Sequence, residues 1–324
     1  MPWPDLVEVS EAEAEEAAEL ERQVEDLQAL RPALHEAPLK ETRRARREGR
    51  GELFPPPTFL HRCTTEVLPI GPPEGVPVRL CLPEGGDPAG IYLYLHGGGW
   101  VLGGADLQDP LLARVADRAG AAVVSVEYRL APEHPSPAGA DDCEAVAQWL
   151  VEHGHHRFGT DRMVVGGESA GAHLALLTLL RMRDRLGLVD AFLGAHLEAG
   201  IFDLSLTPSA RAWGERNLQL STPMLRWFVD RWLPEVDEEE RRDPEVSPLY
   251  ADLFGLPPVL LTVGTLDPLL DDSLFLHSRL LAAEVDSTLD VWPGALHDFP
   301  TLPHALGRRA ADRADAWIAA LLAG

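Results

Sequence analysis

Cysteine is scarce in this 324-residue chain: three residues, Cys63, Cys81 and Cys143, with no CxxC pair among them. So few thiols exclude a disulfide framework, and their apolar or strand-like flanks mark them as structural free thiols. Basic residues are also in short supply, 28 Lys and Arg against 52 Asp and Glu, for a formal net charge of −24. A chain this acidic is repelled by phosphate backbones, which excludes general nucleic-acid binding; the charge serves solubility and is silent on chemistry. No run approaches the roughly 18 consecutive apolar residues of a membrane-spanning helix. The start, Met1-Pro2-Trp3-Pro4-Asp5, lacks the basic-then-apolar pattern of a secretion signal. The expectation is a soluble, cytoplasmic protein with no stable membrane association. What the chain does have is core material, 45% hydrophobic residues, in a length that suits one large α/β domain with an accessory lid or two ordinary domains.

The N-terminal part reads as helical. Leu20, Val24, Leu27 and Leu30 recur at spacings of three or four, and Ser10 with Glu13 has capping-box spacing. A charged stretch over 40–50 with Arg43, Arg44, Arg46 and Arg47 reads as a solvated helix face or linker, and Pro55-Pro56-Pro57 marks a boundary. Short β-type segments then recur at 64–70, 76–82, 91–95, 121–127, 163–165, 195–202, 259–263 and 287–292. Helical segments at 109–119, 138–153, 169–186, 272–283 and 304–322 lie between or after them. The alternation predicts a mostly parallel sheet of about eight strands covered on both faces. Residues 207–248 interrupt it with Trp213, Trp227, Phe228 and Trp232, which reads as an inserted helical element.

The chemistry concentrates at strand ends. Gly167-Glu168-Ser169-Ala170-Gly171 sits between a strand and a helix, which sets Ser169 on a tight, strained turn at a positive helix end. By itself this pattern is weak; a glycine-rich strand-to-helix loop would read the same way. The second element is His96-Gly97-Gly98-Gly99-Trp100, directly after the apolar run 91–95. Glycines let a backbone turn its amides toward one point, as a tetrahedral oxyanion requires. The loop is no phosphate cradle, because neither a GxGxxG nor a Walker pattern follows. An acid and a base must come later in the chain. Asp267 falls at the carboxyl end of the strand 259–263, and His297 follows the strand 287–292. Asp271 and Asp272 read as caps of the next helix, and Asp290 lies mid-strand. Bland readings suit the rest: His153, His155 and His156 as an exposed helix end, His173 as a local packing residue, His96 as an orienter of the glycine loop, Glu168 as structural. No metal site is indicated.

Together these motifs resemble the hormone-sensitive-lipase-like esterases of the α/β-hydrolase superfamily. Glu127-Tyr128-Arg129-Leu130-Ala131-Pro132-Glu133, His134-Pro135, Asp141-Asp142, Ser247-Pro248-Leu249 and Asp267-Pro268-Leu269 add to the likeness, which covers residue 64 to the end. The resemblance implies an α/β-hydrolase fold divided into N-terminal cap helices at 1–57, a core at 58–206, a cap insertion at 207–246 and a second core segment at 247–324. It implies Ser169 as nucleophile, Asp267 as acid, His297 as base, and an oxyanion hole from Gly98, Gly99 and Ala170, with Gly97 an alternative donor. Trp100 would line the substrate pocket. It further implies small-molecule short- to medium-chain esters as substrates and no cofactor. The chain departs from the family pattern in four places: Glu168 stands where Asp commonly precedes the serine, Ala172 where a further Gly is common, Ser136 where an aromatic is common, and Asp298 where Gly usually follows the histidine. An amidase, lactonase or deacetylase using the same groups, or a ligand-binding protein on the same fold, are the alternatives. Oligomeric state, including a homo-oligomer, is left open.

Overall fold

The computed structural model describes residues 6–30, 33–49, 57–188 and 190–324. The N-terminal pentapeptide, expected to carry no leader, and Pro55-Pro56, expected as a boundary, lie outside the described residues. Eight strands form one sheet: β1 Cys63–Leu68, β2 Val76–Cys81, β3 Gly90–Leu95, β4 Ala121–Val126, β5 Met163–Glu168, β6 Gly194–Glu198, β7 Val259–Leu266 and β8 Ser287–Leu296. Their spatial order is β1-β2-β4-β3-β5-β6-β7-β8, antiparallel at the β1–β2–β4 end and parallel from β4 to β8. This is the expected α/β architecture.

The helices are α1 Glu11–Ala29, α2 Leu39–Arg47, α3 Asp109–Ala119, α4 Ala138–Phe158, α5 Ala170–Leu186, α6 Pro208–Ala212, α7 Thr222–Trp232, α8 Leu270–Ala282 and α9 Ala305–Ala323. Strand β3 is buried throughout, and its residues split between two cores with period two. Ile91, Leu93 and Leu95 join the core under α4, α5 and α8, while Tyr92 and Tyr94 join the core under α3 and α9. The order β4-β3-β5 creates a switch point in the sheet. From β3 the chain crosses to β4 on one side and then returns past β3 to β5, so the loops leaving β3 and β5 open a crevice between them.

Several boundaries move. β8 runs through Pro293-Gly294-Ala295-Leu296, expected as a loop, and an irregularity in its pairing with β7 between Gly264 and Leu266 accommodates them. β6 ends at Glu198 rather than near 202, because Ala199 takes a φ of 45°. α1 carries the predicted capping box at Ser10 and Glu13, and Val24 is fully buried against the β8 end of the molecule, but Leu30 is 82% exposed and leaves the apolar stripe. Asp271 and Asp272 do not cap α8. Asp271 accepts from the Ser209 amide, and Asp272 accepts from the amides of Phe202 and Asp203 and the hydroxyl of Thr207, tying the chain after β6 to α8. Between β6 and β7 the chain builds α6 and α7, the latter capped by Ser221 and burying Met224, Leu225, Phe228, Val229 and Trp232. All three cysteines are buried free thiols. Among the described residues, no helix is long and apolar enough to cross a membrane.

Candidate active site

The turn from β5 into α5 holds Ser169 at φ 55°, ψ −119°, a region that side-chain-bearing residues rarely occupy. The flanking glycines explain how so sharp a turn packs. A Cβ on Gly167 or on Gly171 would run into the Leu95 carbonyl oxygen of β3. The strained serine is pinned by its own amide, which donates to the Glu198 carbonyl at 2.8 Å, and it opens at the N-terminus of α5. There the amide of Ala170, first residue of the helix, has no carbonyl a turn behind it to bond.

Ser169, His297 and Asp267 come together from the ends of β5, β8 and β7. His297 Nε2 lies 3.0 Å from Ser169 Oγ, and His297 Nδ1 lies 2.8 Å from Asp267 Oδ2. The other Asp267 oxygen accepts from the Leu269 amide at 2.8 Å, so this buried carboxylate is fixed in direction. Burial alone would lower the imidazole pKa. The charges of Asp267, Asp298 and Glu168 outweigh it and push His297 up to about 9.

The glycine loop lies beside this row. Gly98 has φ 115° and its carbonyl accepts from the amides of Val101 and Leu102; Gly99 has φ 59° and packs so closely under Phe228 of α7 that a Cβ would strike the ring. The Gly97 amide is already engaged, donating to Glu168 Oε1 at 3.3 Å. The amides of Gly98 and Gly99 have no partner among the described residues. His96 donates from Nδ1 to the Gly97 carbonyl at 2.8 Å and stacks on Tyr128, and burial lowers its pKa to about 4, so it stays neutral.

Trp100 borders the cavity, but its indole is turned into the protein. It stacks on Trp232 and donates to His173 Nδ1 at 3.1 Å, while His173 Nε2 donates to the Val246 carbonyl at 2.9 Å. His173 therefore bonds across the fold rather than locally, linking the glycine loop to the segment before β7. Burial lowers its pKa to about 4.

Ser169 and His297 face a cavity of about 770 Å³. Leu34, Ile201, Leu220, Met224 and Leu225 give it an apolar side, and Gln108 and Arg114 line another. Such a volume falls in the range of small-molecule sites.

Four contributors escaped sequence reasoning. Gln219 donates to the His297 carbonyl at 2.6 Å, holding the loop of the base from the inserted segment. Gln108 donates to Glu168 Oε1. Arg43 of α2 donates to the carbonyls of Val101 and Ala131 at 2.9 and 2.7 Å and pairs with Glu133, so it braces the glycine loop instead of forming a solvated face. Glu198, the fourth, lies on β6 behind the serine. Glu168, Glu198 and Asp298 bring one oxygen each within 4.8 Å of one another. Burial raises all three, Glu198 well above the usual carboxylate range and Asp298 to about 7, and we assign no metal to them. His153, His155 and His156 sit exposed at the end of α4.

Comparison with known proteins finds the same fold. A family model described as the alpha/beta hydrolase fold matches residues 92–301. An acetyl-hydrolase of Streptomyces hygroscopicus is 34% identical over 285 residues, covering 83% of this chain and 90% of its own. The carboxylesterase NlhH of Mycobacterium tuberculosis is 34% identical over 270 residues, 79% of this chain and 84% of its own. Among solved structures, that of EstE5 soaked with p-nitrophenyl butyrate superposes with a TM-score of 0.81 at 28% identity, over 95% of this chain and 99% of the other.

Proposed function

This chain belongs to the α/β-hydrolase fold family, in its hormone-sensitive-lipase-like branch, and from that premise we propose that it hydrolyses small carboxylic esters through an acyl-enzyme on Ser169. The observation that carries the reading is the continuous Ser169–His297–Asp267 hydrogen-bonded row, 3.0 and 2.8 Å, at a cavity beside two uncommitted glycine amides.

In this reading, Ser169 Oγ attacks the ester carbonyl while His297 Nε2 takes its proton. Asp267 holds the ring in the tautomer that leaves Nε2 free and stabilises the imidazolium as it forms. The oxyanion points at the amides of Gly98, Gly99 and Ala170. The prior commitment of Gly97 to Glu168 favours the other two glycines as donors. The imidazolium then gives its proton to the leaving alcohol, and water, activated by the same base, releases the acid.

The described residues of the segment 1–57, together with 207–246, act as the cap. Met224, Leu225 and Phe228 come from its inserted part and Leu34 from its N-terminal part, and together they supply the apolar side of the cavity. That lining favours short- to medium-chain acyl groups. The test is hydrolysis of p-nitrophenyl acetate and butyrate by wild type and Ser169→Ala. The variant should lose about three or more orders of magnitude, because nucleophile and base act as a unit. Equal, slow rates for the two proteins would reject the esterase reading.

A further inference from the structure

We propose that Asp298 is a second acidic partner of His297, placed at the serine-facing nitrogen, and that it sets the pH range in which the base works. The proposal rests on the esterase reading and concerns a residue that the family pattern leaves as glycine.

Asp298 follows His297 directly and adopts φ 51°, ψ 29°. Glycine accepts that left-handed conformation freely, and Asp is one of the few other residues that tolerate it. The conformation folds the side chain back along its neighbour, so that Asp298 Oδ2 lies 3.4 Å from His297 Nε2. The same Nε2 is 3.0 Å from Ser169 Oγ. The imidazole thus has a carboxylate at each nitrogen: Asp267 at Nδ1 at 2.8 Å, and Asp298 at Nε2. Asp298 Oδ2 therefore competes with the serine hydroxyl for the proton on Nε2. Its other oxygen, Oδ1, is buried with no partner among the described residues, so no hydrogen bond from them turns this carboxylate away from the base.

The surroundings reinforce the arrangement. Glu168 of β5 and Glu198 of β6 lie behind Asp298, and each has one buried oxygen without a partner among the described residues. Arg46 of α2 acts on Asp298, and Arg114 of α3 acts on Glu198. The charge facing the ring is nonetheless acidic: burial alone would lower the His297 pKa, but Asp267, Asp298 and Glu168 reverse that and raise it.

Two consequences arise from one contact, and they oppose each other in rate. In the resting enzyme Asp298 favours the imidazolium, which cannot accept the serine proton, so less base is available at neutral pH. During attack the ring becomes an imidazolium anyway, and the same carboxylate then stabilises it. A neutral residue at 298 removes both effects. The acid limb of kcat/KM, which reports the base in the free enzyme, should move to lower pH by about one unit or more. The alkaline plateau should fall by less than the tenfold that one unit represents. The curves of variant and wild type should therefore cross, the variant being faster on the acid side.

The experiment is the pH profile of kcat/KM on p-nitrophenyl acetate for wild type, Asp298→Asn and Asp298→Gly, with Ser169→Ala as the blank. The Gly variant guards against misfolding, since glycine is at ease at this φ. Crossing curves in either folded variant support the proposal. Acid limbs that coincide with wild type, or a parallel fall at every pH, overturn it and assign Asp298 a purely structural place. Failure of the esterase reading itself looks different: wild type would then be no faster than the Ser169→Ala blank.

Discussion

Asp267→Asn is the substitution whose consequence the geometry fixes most tightly. The carboxylate uses one oxygen for the Leu269 amide and the other for His297 Nδ1, each at 2.8 Å, and it is buried. An asparagine must keep its single oxygen on the Leu269 amide, because the reverse orientation sets two donors against each other in a buried site. Its NH₂ then faces His297, which can accept only by carrying its proton on Nε2. That nitrogen lies 3.0 Å from Ser169 Oγ and no longer has a lone pair for the serine proton. The same tautomer trap in serine-protease triads lowers kcat about 10⁴-fold, or roughly 5 kcal/mol of barrier. The residual activity should also titrate lower, since Asp267 is the foremost of the charges that hold His297 up at about 9. Steady-state kcat and KM on p-nitrophenyl acetate across the pH range measure both. The expected loss falls in kcat with KM little changed. A loss below about tenfold would refute the assignment of Asp267 as the orienting acid.

Two further substitutions probe the scaffold around the row. Gly99→Ala places a methyl group against the Phe228 ring at a φ of 59°. It should lower kcat/KM by about 10²–10³ by displacing an oxyanion donor, and adding Phe228→Ala should restore part of it; no recovery would show that the steric clash is not the cause. Asp272→Ala removes the acceptor for two buried amides and a hydroxyl at 2.6, 2.9 and 2.7 Å. At about 1–3 kcal/mol per orphaned group, urea denaturation should show a loss of about 3 kcal/mol or more; a loss under about 1 kcal/mol would mean that the segment after β6 is held elsewhere.

The parts of the fold and site that could be read from sequence are those encoded locally. The strands were visible as short β-type segments between turns, most of them apolar runs, and Ser169, Asp267 and His297 could be singled out because each falls at or just after the carboxyl end of such a run. The strand order that brings the loops of β3 and β5 together is a tertiary fact with no local signature. The extension of β8 through Pro293-Gly294 was hidden for the opposite reason: local turn signals pointed to a loop, and pairing with β7 overrode them. Long-range partners were hidden as well. Gln219 reaches His297 across 78 residues, Arg43 reaches Ala131 across 88, and Trp100 reaches His173 across 73. A Gln in a loop and an Arg in a charged helix carry no mark of such contacts. The resemblance implies that Trp100 lines the pocket, and Trp100 does border the cavity, but the stacking of its indole on Trp232 has no local mark. Asp298 was visible as a departure from the family pattern, but its reach to Nε2 depends on a backbone turn seen only in three dimensions.

Catalysis of the proposed kind turns on a covalent acyl group at one hydroxyl. Mixing the protein with p-nitrophenyl butyrate, quenching in acid before the first turnovers finish, and mapping the peptides by mass spectrometry tests that claim directly. A butyryl group on the peptide containing Ser169, absent from Asp267→Asn at the same time point, is the predicted result. Rapid p-nitrophenol release with Ser169 unmodified at every quench time would contradict it.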